Sequence, residues 1–140
     1  MCGITGYINE ESVEQKKDTL QKMMDRIVHR GPSSAGMYVD EYAALGFRRL
    51  SIIDLEGGDQ PIYNETNDLI ITFNGEIYNY RALRQMLTEK GHIFKTNSDT
   101  ETILHGYEEF GKEVLHYLRG MFAFVIWDKK KKLLFGARDH

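Results

Sequence analysis

Cys2 is the only cysteine of the chain, and it lies at a position from which a thiol could act as a nucleophile. A lone cysteine is most often a small buried hydrophobic residue, but a residue so close to a terminus is hard to bury. Small side chains at position two usually permit removal of the initiator methionine, which would leave Cys2 with a free α-amino group. Such an amine is partly neutral at cytoplasmic pH and can accept the thiol proton, directly or through a water. The residue type favours a buried cysteine and its position favours a self-activated nucleophile, so Cys2 alone leaves both readings open.

Composition argues against several other kinds of function. Eighteen basic and 21 acidic residues give a net charge of −3, so we expect no nucleic-acid partner. No apolar run approaches the ~20 residues that cross a bilayer, and no signal pattern opens the chain, so we expect no membrane partner and a cytoplasmic location. The five histidines show no ligand spacing and no phosphate-binding loop is present, so we expect no metal site and no cofactor in this chain.

The elements that must position Cys2 form an α+β pattern without strict βαβ alternation. Hydrophobic periodicity and turn residues predict helices over 12–28, 80–90 and 99–110. They predict strands over 3–8, 37–39, 43–47, 50–53, 69–73, 121–127 and 133–137. Ser12 is the predicted N-cap of the first helix, and Gly91 and Gly111 close the other two. The lysines 129–132 are predicted to form the solvated turn of a hairpin.

The apolar run 69–73 is typical of a strand covered on both faces, and it leads into Asn74-Gly75. Asn-Gly turns easily because both residues tolerate positive φ. An ordinary turn is therefore one reading of this dipeptide.

Five segments give these residues a second reading. They are MCGI at the start, HRGP from His29, RLSIID from Arg49, NGEIYN from Asn74 and NSDTE from Asn97. In this order the chain resembles the class II glutamine amidotransferase domain, and the stretches RRLSIIDLEGGDQP, FNGEIYNYRALR and LRGMFAFVIWD are most similar to those of asparagine synthetases. The resemblance implies an N-terminal-nucleophile hydrolase fold, with stacked antiparallel sheets flanked by helices. It also implies hydrolysis of L-glutamine to L-glutamate and ammonia.

The resemblance implies a role for particular residues. Cys2 would form a γ-glutamyl thioester, while the Asn74 side chain and the Gly75 N–H would form the oxyanion hole. Arg49 would bind the substrate α-carboxylate, which suits a planar bidentate donor. The remaining substrate contacts would come from Leu50, Ile52, Ile53, Glu76 and Asp99, the two acidic residues reading the α-ammonium.

Two of these roles have competitors in the sequence. Arg48 neighbours Arg49, but strand alternation sends adjacent side chains to opposite faces, so only one can enter a pocket; the motif favours Arg49. Asp99 could instead cap the following helix, and the two roles could coexist. His29 is expected to be structural, and Met23 and Met24 are expected in the core.

The resemblance also implies partners outside these 140 residues. We expect residues 1–140 to be a partial glutaminase domain without the last strands of its relatives, and an ATP- and Mg²⁺-dependent synthetase domain to be absent. In intact relatives that domain uses the ammonia to make asparagine from aspartate. Open sheet edges predict association, including a homodimer. A related amidotransferase with another acceptor, and a non-catalytic glutamine-binding module, are the alternatives.

Overall fold

The computed structural model describes residues 1–51 and 59–140, and these form two antiparallel sheets with helices on both outer sides. The strands are β1 (Gly3–Ile8), β2 (Ser34–Val39), β3 (Ala43–Arg49), β4 (Ile62–Tyr63), β5 (Leu69–Ile77), β6 (Gly120–Asp128) and β7 (Leu133–Arg138). The α-helices are α1 (Val13–Arg26), α2 (Tyr80–Glu89) and α3 (Thr100–Phe110). The sheet orders are β1-β3-β2 and β4-β5-β6-β7. We call them the three-stranded sheet and the four-stranded sheet.

Local sequence signals fix the ends of the helices. The Ser12 hydroxyl accepts a hydrogen bond from the backbone N–H of Gln15 at 3.2 Å, and the Gln15 side-chain oxygen accepts one from the backbone N–H of Ser12, which completes a capping box. Helix α1 ends at Arg26, and a short 3₁₀ helix, Val28–Arg30, then leads to Gly31. Gly111, with a φ of +57°, ends α3 as expected.

Apolar contacts stack the elements in four layers. Leu20 and Met24 of α1 pack on Ala44 of the three-stranded sheet. The other face of that sheet packs on the four-stranded sheet, where Ala43 and Leu45 join the same cluster as Ile70. The far face of the four-stranded sheet packs on the helices through a larger cluster that includes Ile71, Phe73, Leu83, Ile103 and Leu104. Strand β5 is therefore covered on both faces, as the sequence predicted.

The strand β5 is longer than expected, and this corrects the reading of Asn74-Gly75 as a turn. The strand continues to Ile77, with Asn74 opposite Ala123 and Gly75 opposite Phe122 on β6. A Cβ on Gly75, whose φ is +143°, would lie 2.0 Å from the carbonyl oxygen of Met121. The glycine therefore permits close approach of two strands and does not reverse the chain.

Other strand predictions need smaller corrections. Strands β2 and β3 extend beyond the predicted ranges, and the two-residue strand β4 was missed because it is too short to show a period. Leu50 and Ser51 lie outside any strand, and residues 52 and 53 of that prediction lie outside the described residues. No helix in the described parts of the chain is long and apolar enough to cross a membrane.

Lys16 lies on α1, where hydrophobic periodicity predicts that this charged side chain stays off the buried face. It is fully buried. Its ammonium group donates to the carbonyl oxygen of Glu41 at 2.9 Å and also to that of Glu11. A buried ammonium is tolerated when its protons find acceptors, and here the loops beside α1 supply them. Met24 is buried as expected, whereas Met23 is only partly covered.

Candidate active site

Cys2 lies immediately before β1, half-buried, with its thiol beside the chain that follows β3. The backbone N–H of Leu50 donates to the Cys2 Sγ at 3.4 Å. The Nε of Arg30 donates to the Cys2 carbonyl oxygen at 3.2 Å. The backbone of Cys2 is therefore held, and its sulfur accepts from a backbone N–H group.

The Gln60 side chain sets the alignment of the two sheets near Cys2. Its amide group accepts from the backbone N–H of Phe73 at 2.6 Å and donates to the Phe73 carbonyl at 3.1 Å. The Gln60 carbonyl also closely approaches Gly36, where a Cβ would lie 1.9 Å from that oxygen. Because Gly36 is opposite Phe47 in the three-stranded sheet, Gln60 fixes Phe47 and Phe73 at the same level of the sandwich.

This alignment brings the predicted site residues to one end of the sandwich. The β3 and β5 strands run in the same direction, since Ala43 and Leu45 share a cluster with Ile70. Further along both strands, Gln60 contacts Phe73 and also Gly36, the residue opposite Phe47. The chain therefore reaches Arg49 in one sheet and Asn74 in the other at the same end. Cys2 is at that end too, because Gly3 is opposite Arg48.

Strand alternation also predicts where the Asn74 side chain lies. Asn74 is four residues after Ile70 on β5, so both side chains lie on the same face of the strand, and Ile70 packs against the three-stranded sheet. Asn74 therefore belongs to the face of β5 that looks toward the sheet carrying Cys2. Gly75, next to it, is exposed, so its backbone is accessible to a bound molecule.

The two neighbouring arginines have different partners. The Nε of Arg48 donates to the Gly31 carbonyl at 3.0 Å, and a Cβ on Gly31 would lie 2.4 Å from the backbone carbon of Arg48. Arg49 instead pairs with the carboxylate of Asp59 at 3.4 Å, and the Asp59 side chain is 92% exposed. A carboxylate can therefore reach the Arg49 guanidinium from the solvent side, while Arg48 holds the backbone together.

Glu76 and Asp99 form an acidic pair beside the end of β5. The Asp99 Oδ2 accepts from the backbone N–H of Ile77 at 2.9 Å, and its side chain makes no capping bond to α3. Burial raises the pKa of Asp99, hydrogen bonds from backbone N–H groups oppose this, and the nearby negative charge of Glu76 raises it further. Two carboxylates this close favour a cationic group between them, such as an ammonium.

Six of the predicted site residues thus lie at one end of the sandwich: Cys2, Arg49, Leu50, Asn74, Gly75 and Glu76. Asp99 joins them through Ile77. Their individual roles stay predictions. Ile52 and Ile53 lie outside the described residues. Sequence reasoning missed Gln60 and Arg30, which hold the backbone of Phe73 and Cys2. The GDQP and HRGP segments contained them but gave no sign of their partners.

Away from Cys2, ligand atoms of Glu65, His92, His105 and Glu108 lie within 4.8 Å of one another. The sequence gave no sign of this group, since its members come from three different segments. It is the arrangement in the described residues best suited to hold a metal ion.

Comparisons with known proteins show the family of the chain and agree with its fold. A family model described as a glutamine amidotransferase domain matches residues 1–140. The chain is 49% identical to asparagine synthetase [glutamine-hydrolyzing] 1 of Bacillus subtilis (strain 168), over 99% of this chain and 22% of that protein. It is 44% identical to asparagine synthetase [glutamine-hydrolyzing] 3 of Arabidopsis thaliana, over 99% of this chain and 24% of that protein. It thus spans about a quarter of the length of these relatives.

A solved structure supports the fold class. The glutamine phosphoribosylpyrophosphate amidotransferase of B. subtilis superposes with a TM-score of 0.70 at 23% identity, over 92% of this chain and 35% of that one. This confirms the expected α+β fold of the N-terminal-nucleophile type, with stacked antiparallel sheets flanked by helices.

Proposed function

Because this chain belongs to the glutamine amidotransferase domain family, we propose that it hydrolyses L-glutamine to L-glutamate and ammonia with Cys2 as the nucleophile. The observation that carries the proposal is the position of the Cys2 thiol. It lies at the end of the sandwich that also holds Arg49 and the Asn74-Gly75 pair, with a backbone donor 3.4 Å from the sulfur.

The first step needs a base, and the α-amino group of Cys2 can supply it. Met1 is 75% exposed, which supports its removal by a processing peptidase. The freed amine takes the thiol proton, and the thiolate then attacks the side-chain amide carbon of glutamine. No histidine is required in this scheme.

The reaction proceeds through a thioester. As the sulfur–carbon bond forms, the carbonyl oxygen becomes an oxyanion, which the Asn74 side chain and the Gly75 N–H would stabilise. The carbon–nitrogen bond then breaks, and the ammonium group of Cys2 returns its proton to the leaving amine, releasing ammonia. Water attacks the γ-glutamyl thioester, and glutamate leaves as the thiol is restored.

The amino-acid end of the substrate would lie between charges of opposite sign. Arg49 would bind the α-carboxylate in place of Asp59, because the Asp59 side chain is 92% exposed and its contact with Arg49 is 3.4 Å long. Glu76 and Asp99 would bind the α-ammonium. Leu50 would contribute backbone contacts, and Ile52 and Ile53 stay predictions from the resemblance.

In the full-length protein, we propose that the ammonia serves ATP- and Mg²⁺-dependent synthesis of asparagine from aspartate in a synthetase domain. The similarity to asparagine synthetases of B. subtilis and A. thaliana supports this acceptor. A cytoplasmic location is proposed with it, since the reaction needs a reduced thiol.

We also propose that the protein associates with itself through the outer strands of its sheets, which would give a homodimer. Sedimentation can test this.

Glutamate release by the purified protein tests the glutaminase reaction. Protein lacking Met1, verified by mass spectrometry, should convert glutamine to glutamate, and protein retaining Met1 should not. Hydroxylamine added during turnover should intercept the thioester, giving γ-glutamyl hydroxamate and the free thiol. Folded, processed protein that releases no glutamate would refute the proposal.

One outcome would favour the non-catalytic alternative. Thermal stabilisation by glutamine without glutamate release, retained in Cys2→Ser, would identify a binding module. Release of glutamate together with a thioester would exclude it.

A further inference from the structure

Two histidines and two glutamates from three segments meet on the outer side of α3. Glu65 lies in the loop between β4 and β5, His92 follows the end of α2, and His105 and Glu108 lie one turn apart on α3. We call these four residues the His–Glu cluster. We expected no metal site because the histidines show no ligand spacing along the chain. The fold instead brings these three separate segments together.

The distances in the His–Glu cluster suit a tetrahedral metal ion. A zinc ion bound at 2.0–2.1 Å separates its ligand atoms by about 3.3–3.4 Å. The His105 Nδ1 is 3.0 Å from Glu108 Oε1 and 3.5 Å from Glu65 Oε1. The His92 Nδ1 is 3.6 Å from Glu108 Oε2 and 3.9 Å from Glu65 Oε1. Small adjustments would place one ligand atom from each of the four residues around one ion.

The outward nitrogens of both histidines are held by other carboxylates. The His92 Nε2 is 2.6 Å from Glu109 Oε1, and the His105 Nε2 is 3.3 Å from Glu101 Oε2. Glu101 is itself buried and accepts from the backbone N–H groups of Lys95 at 3.0 Å and Thr96 at 2.5 Å. Carboxylate–histidine pairs of this kind fix the ring and leave Nδ1 as the ligand atom, as in many zinc sites.

Negative charge exceeds positive charge around the His–Glu cluster. Among the described ion pairs, Glu65, Glu101, Glu108 and Glu109 are paired only with His92 and His105. Burial lowers the pKa of His105, but its hydrogen bonds to Glu101 and Glu108 and the charge of Glu65 raise it to about 9. The four carboxylates carry more negative charge than the two histidines can offset, and a divalent cation would offset the remainder.

The solvent exposure of the His–Glu cluster and a backbone hydrogen bond to Glu65 also fit a metal site. His105 has a side chain only 2% exposed, whereas those of Glu65 and Glu108 are 27% and 22% exposed. An ion can therefore enter from solvent and retain a water ligand. The backbone N–H of Ile93 donates to Glu65 at 3.0 Å, which orients this carboxylate before binding.

We propose that the His–Glu cluster binds one divalent transition-metal ion of the zinc type, held by two imidazole nitrogens and two carboxylates. Two neutral histidines and two glutamates balance the charge of such an ion, and imidazole donors favour zinc over magnesium. The ion ties the β4–β5 loop and the residue after α2 to α3. It is structural, and it takes no part in the chemistry proposed for Cys2.

Metal titration of the purified protein tests this site directly. After treatment with a chelator, the protein should bind roughly one equivalent of Zn²⁺ per chain, measured by calorimetry and elemental analysis. Zn²⁺ at a hundredfold excess over its Kd should raise Tm by roughly 5–10 °C, and Mg²⁺ should not. Co²⁺ should give the visible absorption of a tetrahedral site.

Matched variants distinguish the His–Glu cluster from adventitious binding. His92→Gln should abolish the zinc-dependent rise in Tm and weaken binding at least about tenfold, while circular dichroism verifies folding. His116→Gln is the control, because His116 forms an exposed pair with Glu113 at 2.9 Å. Cys2→Ser should retain full binding, which separates this site from the thiol. Equal losses in the His92 and His116 variants, or no response to zinc, would overturn the proposal.

Discussion

The two sheets of this protein carry their candidate site residues in different ways. In the three-stranded sheet, Cys2 precedes β1 and Leu50 follows β3, so both lie beyond the hydrogen-bonded ladder. In the four-stranded sheet, Asn74 and Gly75 lie inside β5 and are paired with β6 along its whole length. A substitution in the first group should therefore change activity alone, whereas one in the second should change activity and stability together.

Cys2→Ala should separate activity from stability most clearly. Loss of the nucleophile should reduce glutaminase activity on the order of 10⁴-fold or more. The free energy of unfolding should change by less than about 1 kcal/mol, because the sulfur makes a single described hydrogen bond, to Leu50. Glutamate release and urea unfolding measure the two effects. A large loss of stability would show that the thiol is a core group.

Gly75→Ala should instead lower both quantities. Its Cβ would lie 2.0 Å from the Met121 carbonyl, so the strands must separate, at a cost of about 2–4 kcal/mol in unfolding free energy. Gly91→Ala is the matched control, with a φ of +97° and no atom within 4 Å of the new Cβ. It should cost only about 1–2 kcal/mol from backbone strain and should leave activity intact. Equal effects of the two substitutions would contradict the close approach of β5 and β6.

Arg49→Lys tests the carboxylate contact at the end of β3. Lysine keeps the charge but loses bidentate geometry, so kcat/KM for glutamine should fall about 10–100-fold, mainly through KM. Arg48→Lys should leave KM unchanged and lower stability, because Arg48 holds the Gly31 carbonyl. Steady-state kinetics on both variants decide between the two arginines, and a larger KM effect at Arg48 would reverse the assignment.

Asp40→Asn should have the smallest effect of these substitutions on activity and stability. Asp40 lies at the contact between the two sheets. Asp40 Oδ2 accepts from the Tyr38 hydroxyl at 2.6 Å and from Trp127 Nε1 at 2.8 Å. Burial raises the pKa of Asp40, but hydrogen bonds from Tyr38, Trp127 and two backbone N–H groups lower it overall. The variant should lose about 1–2 kcal/mol of unfolding free energy at pH 7, with unchanged activity.

The pH dependence of this difference has a definite sign. Because the pKa of Asp40 is lower in the folded state than in the unfolded state, its stabilisation is complete above the unfolded value. It declines as pH falls through the folded value. The gap between wild type and Asp40→Asn should therefore narrow between pH 5 and pH 3 in urea unfolding. A constant gap would mean that the Asp40 charge does not matter.

Local signals were sufficient for much of the fold. The Ser12 N-cap, the glycine that ends α3 and the β6–β7 hairpin each depend on residues a few positions apart, and each was predicted. The reading of Asn74-Gly75 as an ordinary turn was wrong because the competing interaction, pairing with β6, comes from residues almost fifty positions away. The burial of Lys16 was missed for the same reason, since one of its acceptors is the carbonyl of Glu41.

The sequence by itself determined the chemistry that this protein can offer: a thiol at position two, an Asn-Gly pair, an arginine and the order of motifs that places the chain in its family. Only the tertiary structure decided which of these groups share a space. Gln60 aligns the two sheets so that Cys2, Arg49 and Asn74 reach the same end, and α3 brings His105 to His92 and Glu65. Such contacts depend on how sheets and helices pack across long separations in the chain, which local patterns do not encode.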